Sequence, residues 1–324
     1  MCTAVSWNSS HHYFGRNLDL DYSYNETVTV TPRNFPLHFR MMPDIGSHYA
    51  IIGAAVVMED YPLYYDAVNE KGLCMAGLNF PKSAYYAPVK SGFDNIAPFE
   101  FIPWILSQCS CVQEAKILLQ RIHLVDVAFS EQLPLTPLHW IIADCQTAVT
   151  VEATVHGLHI YENDIGILTN EPPFPYHLSH LQNYMHVSAA PASNLFSGSY
   201  QLESHSVGSG SIGLPGDYSS GSRFVRAAFV KLNSVLDESH NSELSQFFHI
   251  LDSVSMPLGC VQVPNQKYEF TRYSSCCDTN LGIYYYTTYD NKQITAVNMF
   301  HENIEASRLI SYPMITHNTI HHQN

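Results

Sequence analysis

The 324 residues are 46% hydrophobic and 14% charged, which suits a packed core and argues against a disordered chain. With 15 Lys plus Arg against 29 Asp plus Glu, the formal charge is −14, a balance that phosphate backbones and anionic membranes repel. Nucleic acid is thus excluded as an expected partner.

At the start, Met1-Cys2-Thr3 leads into mixed polar sequence, not into the basic and apolar stretches of a secretory signal. Glu26 to Thr31 alternates with period two and predicts a strand. His48 to Val57 predicts a buried strand, and its apolar run, Tyr49 to Met58, is about half of a membrane span. Tyr64 to Asn69 and Gly72 to Asn79 predict two more strands around an Asn69-Glu70-Lys71-Gly72 turn. Pro98 to Cys109 reads as helical, with Pro103 expected to kink or split it, and Val112 to Ile122 continues at helical spacing. Strands resume at Leu138 to Ala143, Ala148 to Ala153, Leu158 to Tyr161 and Gly166 to Thr169. A helix is expected over Tyr176 to His186, then an irregular Ser/Gly/Pro-rich stretch from Ala189 to Ser222. Ser222 to Val235 and Ser242 to Ser255 predict helices, and strands close the chain at Tyr268 to Ser274, Ile283 to Tyr289 and Gln293 to Met299. Runs of strands and runs of helices favour an α+β stack of mostly antiparallel sheet covered by helices. No linker divides residues 1–324, so one domain is expected, without a membrane span and in the cytoplasm.

Several motifs fail on context. Gly208 to Gly213 (GSGSIG) fits a dinucleotide fingerprint, but Pro215-Gly216 follows at once and no helix opens to hold a pyrophosphate. The histidine groups His11-His12, His156/His159, His177/His180 and His317/His321/His322 lack Cys or carboxylate partners at metal-site spacing. Neither metal nor cofactor is expected. Eight scattered cysteines without a CxxC pair suit reduced thiols.

Cys2 is different. Removal of Met1 places a thiol and a free α-amine on one residue, and an α-amine with a pKa of about 8 can carry protons for its own side chain. Phe14-Gly15-Arg16-Asn17-Leu18-Asp19 follows closely enough for an adjacent antiparallel strand to bring Arg16 and Asp19 beside the sulfur. Arginine favours a thiolate, and aspartate fixes and polarises an amine. A surface ion pair is the commoner fate of Arg and Asp.

The start MCTAVSW, YFGRNLDLDYSYNE (Tyr13 to Glu26) and DYPLYYDAVNEKGLCMAGLNFP (Asp60 to Pro81) resemble the choloylglycine hydrolase family. LTNEPPF (Leu168 to Phe174), IGLPGDYSSGSRFVR (Ile212 to Arg226) and SQFFHILDSV (Ser245 to Val254) extend the resemblance over essentially the whole chain. Within the family it is nearest to bacterial bile salt hydrolases, which carry asparagine at the place of Asn79. The resemblance implies an N-terminal-nucleophile hydrolase with a four-layer αββα sandwich, usually a homotetramer. It implies Cys2 as nucleophile, Arg16 and Asp19 tuning it, and Arg223 supporting the network. Asn170 would supply a side-chain donor to an oxyanion hole and Asn79 its backbone N–H. By analogy Leu18, Leu20, Met58, Tyr65, Leu133 and Leu135 line an apolar substrate pocket. The implied substrates are glycine- and taurine-conjugated bile acids such as glycocholate and taurocholate. Penicillin V and N-acyl homoserine lactones are the rival substrates on the same machinery, and a non-catalytic binding protein is the rival class. The sequence departs from the family at Glu171, where a second asparagine often follows Asn170, and this adds a negative charge near the site.

Overall fold

Period-two alternation assigns the buried strands to three separate apolar layers. A computed structural model describes residues 1–235 and 240–324. One antiparallel sheet runs in the order Ile167–Leu168, Cys2–Asn8, His12–Leu20, Lys267–Asp278, Ile283–Thr288, Thr295–Asn298, with Val261–Val263 paired onto Lys267–Asp278. The second runs Gly157–Glu162, Ala148–Thr154, Leu138–Ala143, Cys74–Asn79, Tyr61–Asn69, Ile51–Met58, Thr27–Thr31, Ile310–Pro313, also antiparallel. Cys2, Ala4, Phe14 and Leu18 of the first sheet share one core with Ile52, Ala54, Ala76, Leu78 and Ile141 of the second. The alternate residues face outward: Ile51, Met75 and Ile142 pack with Phe101, Ile105, Val112 and Ala115, and Val5, Trp7 and Tyr13 pack with Phe247, Ile250 and Leu251. The helices Phe101–Gln108 and Val112–Leu119 therefore cover one sheet and His240–Asp252 the other, giving the αββα stack.

Pro103 neither kinks nor splits its helix. A single 3₁₀ turn, Pro98–Glu100, leads into Phe101–Gln108, so Pro103 lies in the first α-helical turn, where backbone N–H groups have no intrahelical acceptor to lose. The segment beyond Leu119 turns into a short strand, Ile122–Leu124, which pairs in parallel with Asp94–Ile96. The helix expected from Tyr176 begins earlier, at Phe174, and ends at Leu181. The helix expected over Ser222 to Val235 runs from Ser220 to Leu232, with the Ser219 side chain accepting from the Ser222 N–H as its N-cap. Ser209–Ser211 forms only a 3₁₀ turn, and no α-helix opens directly from Gly208 to Gly213, the next one beginning at Ser220. Among the described residues no helix is long and apolar enough to cross a membrane.

The first hairpin sets the register that matters. Cys2 pairs with Leu18, Thr3 with Asn17 and Ala4 with Arg16, so Arg16 and Asp19 lie within two positions of the cysteine's partner. Gly15 lets the next strand come close, since a Cβ there would lie 1.9 Å from the Ser275 carbonyl oxygen. That approach places Ser275 Oγ 3.1 Å from the Arg16 N–H.

Candidate active site

Cys2 is 3% exposed and faces the core between the sheets. Its backbone N–H donates to Asn170 Oδ1 at 2.9 Å, and its carbonyl accepts from Arg223 Nη1 at 2.5 Å. Arg223 also donates from Nη2 to Asn170 Oδ1 at 2.7 Å and from Nη1 to Thr3 Oγ1 at 2.7 Å. Asn170 in turn donates from Nδ2 to the Asn79 carbonyl at 2.8 Å. Asn170 and Arg223, far apart in sequence, thus close on the Cys2 backbone, and Asn170 links it to Asn79. With Met1 in place, its ammonium donates to the Asp19 carbonyl at 2.8 Å and pairs with Glu269 Oε2 at 2.7 Å.

Arg16, Asp19 and Arg223 are fully buried, unlike a surface ion pair. Burying an ion costs several kcal/mol, so each must be compensated. Arg16 Nη1 donates to the carbonyls of Tyr65 (2.9 Å) and Gly77 (2.6 Å), while Nη2 is buried and has no hydrogen-bond partner among the described residues. Asp19 Oδ1 accepts from Thr271 Oγ1 at 2.6 Å, and its Oδ2 is likewise buried and unpartnered. Burial pushes the Asp19 carboxyl above its ordinary value, held back by Arg223, the amino terminus, the Thr271 hydroxyl and Arg16. Burial also lowers the Arg223 guanidinium, opposed by the nearby Asp19 carboxylate.

Further residues belong to the cluster: Asp66, His139 and Glu152 were not singled out from sequence, and His177 entered only as half of a histidine pair. Asp66, buried in Tyr61–Asn69, accepts from the hydroxyls of Tyr273 (2.6 Å), Tyr284 (2.6 Å) and Ser275 (3.0 Å), and its charge helps hold the Arg16 cation. Beneath Asn170, His139 Nε2 donates to the Thr169 carbonyl at 3.0 Å, and His177 Nε2 donates to the Asn170 carbonyl at 2.9 Å. His139 Nδ1 lies 3.0 Å from Glu152 Oε1, which also accepts from the Phe174 N–H at 2.9 Å. For Asp66, His139 and Glu152 the sequence signal is a lone charge or histidine inside an otherwise apolar strand, as in LHWIIA and AVTVEAT, whereas His177 lies on the helix Phe174–Leu181.

The apolar pocket is a cavity of about 240 Å³ whose wall includes Tyr65, Leu133 and Leu135, with Tyr22, Tyr24, Phe99 and Phe129. Tyr65 and Gly77, whose carbonyls Arg16 holds, line it as well, joining the cavity to the polar cluster. Leu18, Leu20 and Met58 are not on this wall. Leu18 and Leu20 pack in the core between the sheets, the face Cys2 also takes, and Met58 sits 40% exposed at a strand end. Glu171 points away from the cluster, its carboxylate accepting from Lys82 and Ser83.

Residues 2–312 match the linear amide C–N hydrolases of the choloylglycine hydrolase family. A bile salt hydrolase/transferase of Lactiplantibacillus plantarum is 53% identical over 314 residues, covering 97% of each chain. The crystal structure of a mutant conjugated bile acid hydrolase from Clostridium perfringens matches with a TM-score of 0.94 at 36% identity, over 100% of both chains. Penicillin V acylase from Agrobacterium tumefaciens shares the fold, with a TM-score of 0.74 at 18% identity over 96% of this chain and 90% of that one.

Proposed function

Because this chain belongs to the choloylglycine hydrolase family, and so to the linear amide C–N hydrolases, we propose that it cleaves the amide bond of glycine- or taurine-conjugated bile acids through Cys2. The observation that carries the catalytic assignment is the closed triangle of Cys2, Asn170 and Arg223, with Asn170 Oδ1 accepting from both the Cys2 nitrogen and Arg223.

Removal of Met1 converts the Cys2 amide nitrogen into an α-amine. Asp19 Oδ2 then accepts a hydrogen bond from that amine, and the nearby Arg16 charge favours a thiolate at Cys2. The thiolate attacks the amide carbonyl carbon, and the carbonyl electron pair moves onto oxygen. An amide NH₂ has two donors; Asn170 uses one on the Asn79 carbonyl and offers the second to the oxyanion, beside the Asn79 N–H. Collapse breaks the C–N bond as the Cys2 ammonium protonates the departing glycine or taurine nitrogen. Water, deprotonated by the same amine, then hydrolyses the thioester to free bile acid and thiolate. An amine in place of water would return an amide, the acyl transfer that the name of the Lactiplantibacillus relative includes.

The apolar cavity beside Tyr65 takes the steroid, whose recognition is mainly the removal of apolar surface from water. The chemistry as drawn uses no metal or cofactor, and the cytoplasmic homotetramer usual in the family is the proposed working form.

The test is amino-acid release from glycocholate and taurocholate by protein whose mature N-terminus is verified, beside an equally processed Cys2→Ser variant. Release by the parent and loss of at least about 10³-fold in the variant are expected. Activity surviving in Cys2→Ser overturns the nucleophile, and turnover of penicillin V or an acyl homoserine lactone in place of both conjugates overturns the substrate.

A further inference from the structure

We infer that Glu171 is a positioning residue for the amide-cleaving site, strapping the turn that carries Asn170 to the segment that leaves Asn79. The inference rests on the reading above for its effect on turnover, and on the geometry alone for the strap itself.

Glu171 Oε1 accepts from two successive backbone N–H groups, Lys82 and Ser83, each at 2.8 Å, and its Oε2 accepts from Ser83 Oγ at 2.9 Å. Charge-assisted bonds from fixed backbone donors are among the stronger and more directional contacts available near a surface. Lys82 and Ser83 follow Asn79 by three and four residues, and Glu171 adjoins Asn170. The two asparagines are already tied by Asn170 Nδ2 on the Asn79 carbonyl. On the buried side Phe80 stacks on His139, with ring centroids 4.3 Å apart and planes at 6°, while His139 donates to the Thr169 carbonyl. The Thr169–Asn170 and Asn79–Phe80 segments are therefore registered from the buried side by a stacked ring and from the outer side by a carboxylate. Without the strap, the buried tie and the Asn170 Nδ2 hydrogen bond to the Asn79 carbonyl are left to fix their separation. Both oxyanion donors belong to these segments, and a displacement of about 1 Å at such a site costs up to about 10²-fold in rate. Glu171's charge, satisfied by three donors away from Cys2, acts through geometry and does not reach the substrate.

The experiment compares processed parent, E171A, E171Q and S83A on glycocholate, with amide exchange at Lys82 and Ser83 as an activity-independent readout. E171Q keeps an oxygen for both N–H groups, so it is the rescue. Expected are a kcat about tenfold lower in E171A with KM within twofold, recovery to within about threefold in E171Q, and a smaller loss in S83A. Protection of the Lys82 and Ser83 amides should fall in E171A and persist in E171Q. Unchanged protection in E171A, a kcat equal to the parent's, an effect confined to KM, or an E171Q as slow as E171A overturns the inference. A parent that turns over no conjugate while the exchange pattern holds refutes the functional reading and leaves the strap standing.

Discussion

Around Cys2 the polar atoms are buried and, Asn170 on its turn apart, held on regular elements, whereas the cavity beside them draws much of its wall from loops. Cys2, Arg16 and Asp19 sit on a ladder-paired hairpin, Arg223 on the helix Ser220–Leu232, and Asn79 at the end of Cys74–Asn79. Tyr22, Tyr24, Phe129, Leu133 and Leu135 lie outside any strand or helix. The difference follows from what each region must do. Hydrogen bonds to a developing charge weaken steeply with distance and angle, so their donors need a rigid frame. Burial of an apolar body is non-directional and scales with area, so its wall tolerates loops that shift. Substitutions in the first region should therefore act on kcat, and those in the second on KM.

After loss of the nucleophile itself, the largest effect expected is that of Asn170→Ala. It removes the acceptor shared by Cys2 and Arg223 and the donor to Asn79, leaving Arg223 Nη2 buried without that partner. A fall in kcat of about 10² to 10³-fold, or roughly 3–4 kcal/mol, is expected. Steady-state kinetics on glycocholate, with circular dichroism to confirm folding, checks it. A folded variant keeping a tenth of the parent's kcat would break the contrast between the two regions.

The frame of the site was legible because it is written locally. Arg16 and Asp19 lie in one hairpin with Cys2, so strand pairing alone predicts their approach. Arg223, Asn170 and Asn79 come from distant segments, and only the family resemblance gathered them. The roles of the supporting groups, Asp66, Thr271, His139 and His177, were illegible because they depend on which segment passes beside them. Thr271, for instance, pairs with Asp19 just before the register shift at Arg272. Of the pocket residues, Tyr65, Leu133 and Leu135 are on the cavity wall, but Leu18 and Leu20 are not. An apolar residue in a strand reads the same whether it faces a core or a cavity, so sequence cannot divide those two fates.

Thr271→Val sharpens the comparison at intermediate size. It deletes the hydroxyl that donates to Asp19 Oδ1 at 2.6 Å. That bond favours the carboxylate, against the burial that already raises its pKa, so its loss raises Asp19 further. If the working state needs Asp19 ionised, activity is lost as pH falls through that raised value. The acid limb of kcat/KM should therefore move to higher pH by about one unit, the worth of one hydrogen bond to a charged group. A pH–rate profile of parent and variant reads this directly, and coincident acid limbs would remove Asp19 from the ionisations that control rate.

Leu133→Ala should have the smallest effect and the opposite signature. Leu133 is half-buried on the loop side of the cavity, where the structure shows no hydrogen-bond network of the kind that surrounds Cys2. Truncation withdraws apolar contact from the bound steroid, which by area is worth about 1–2 kcal/mol, or roughly 5- to 30-fold in kcat/KM. Because that contact is made equally in the ground and transition states, the loss should appear in KM with kcat nearly unchanged. Folding should be little affected, since a partly exposed loop side chain leaves no sealed cavity behind. The discriminating observation is the split, not the size. If kcat falls as far as kcat/KM, the loop wall helps hold the reacting amide in register with Cys2, and the division between a rigid polar frame and a yielding apolar wall no longer describes this enzyme.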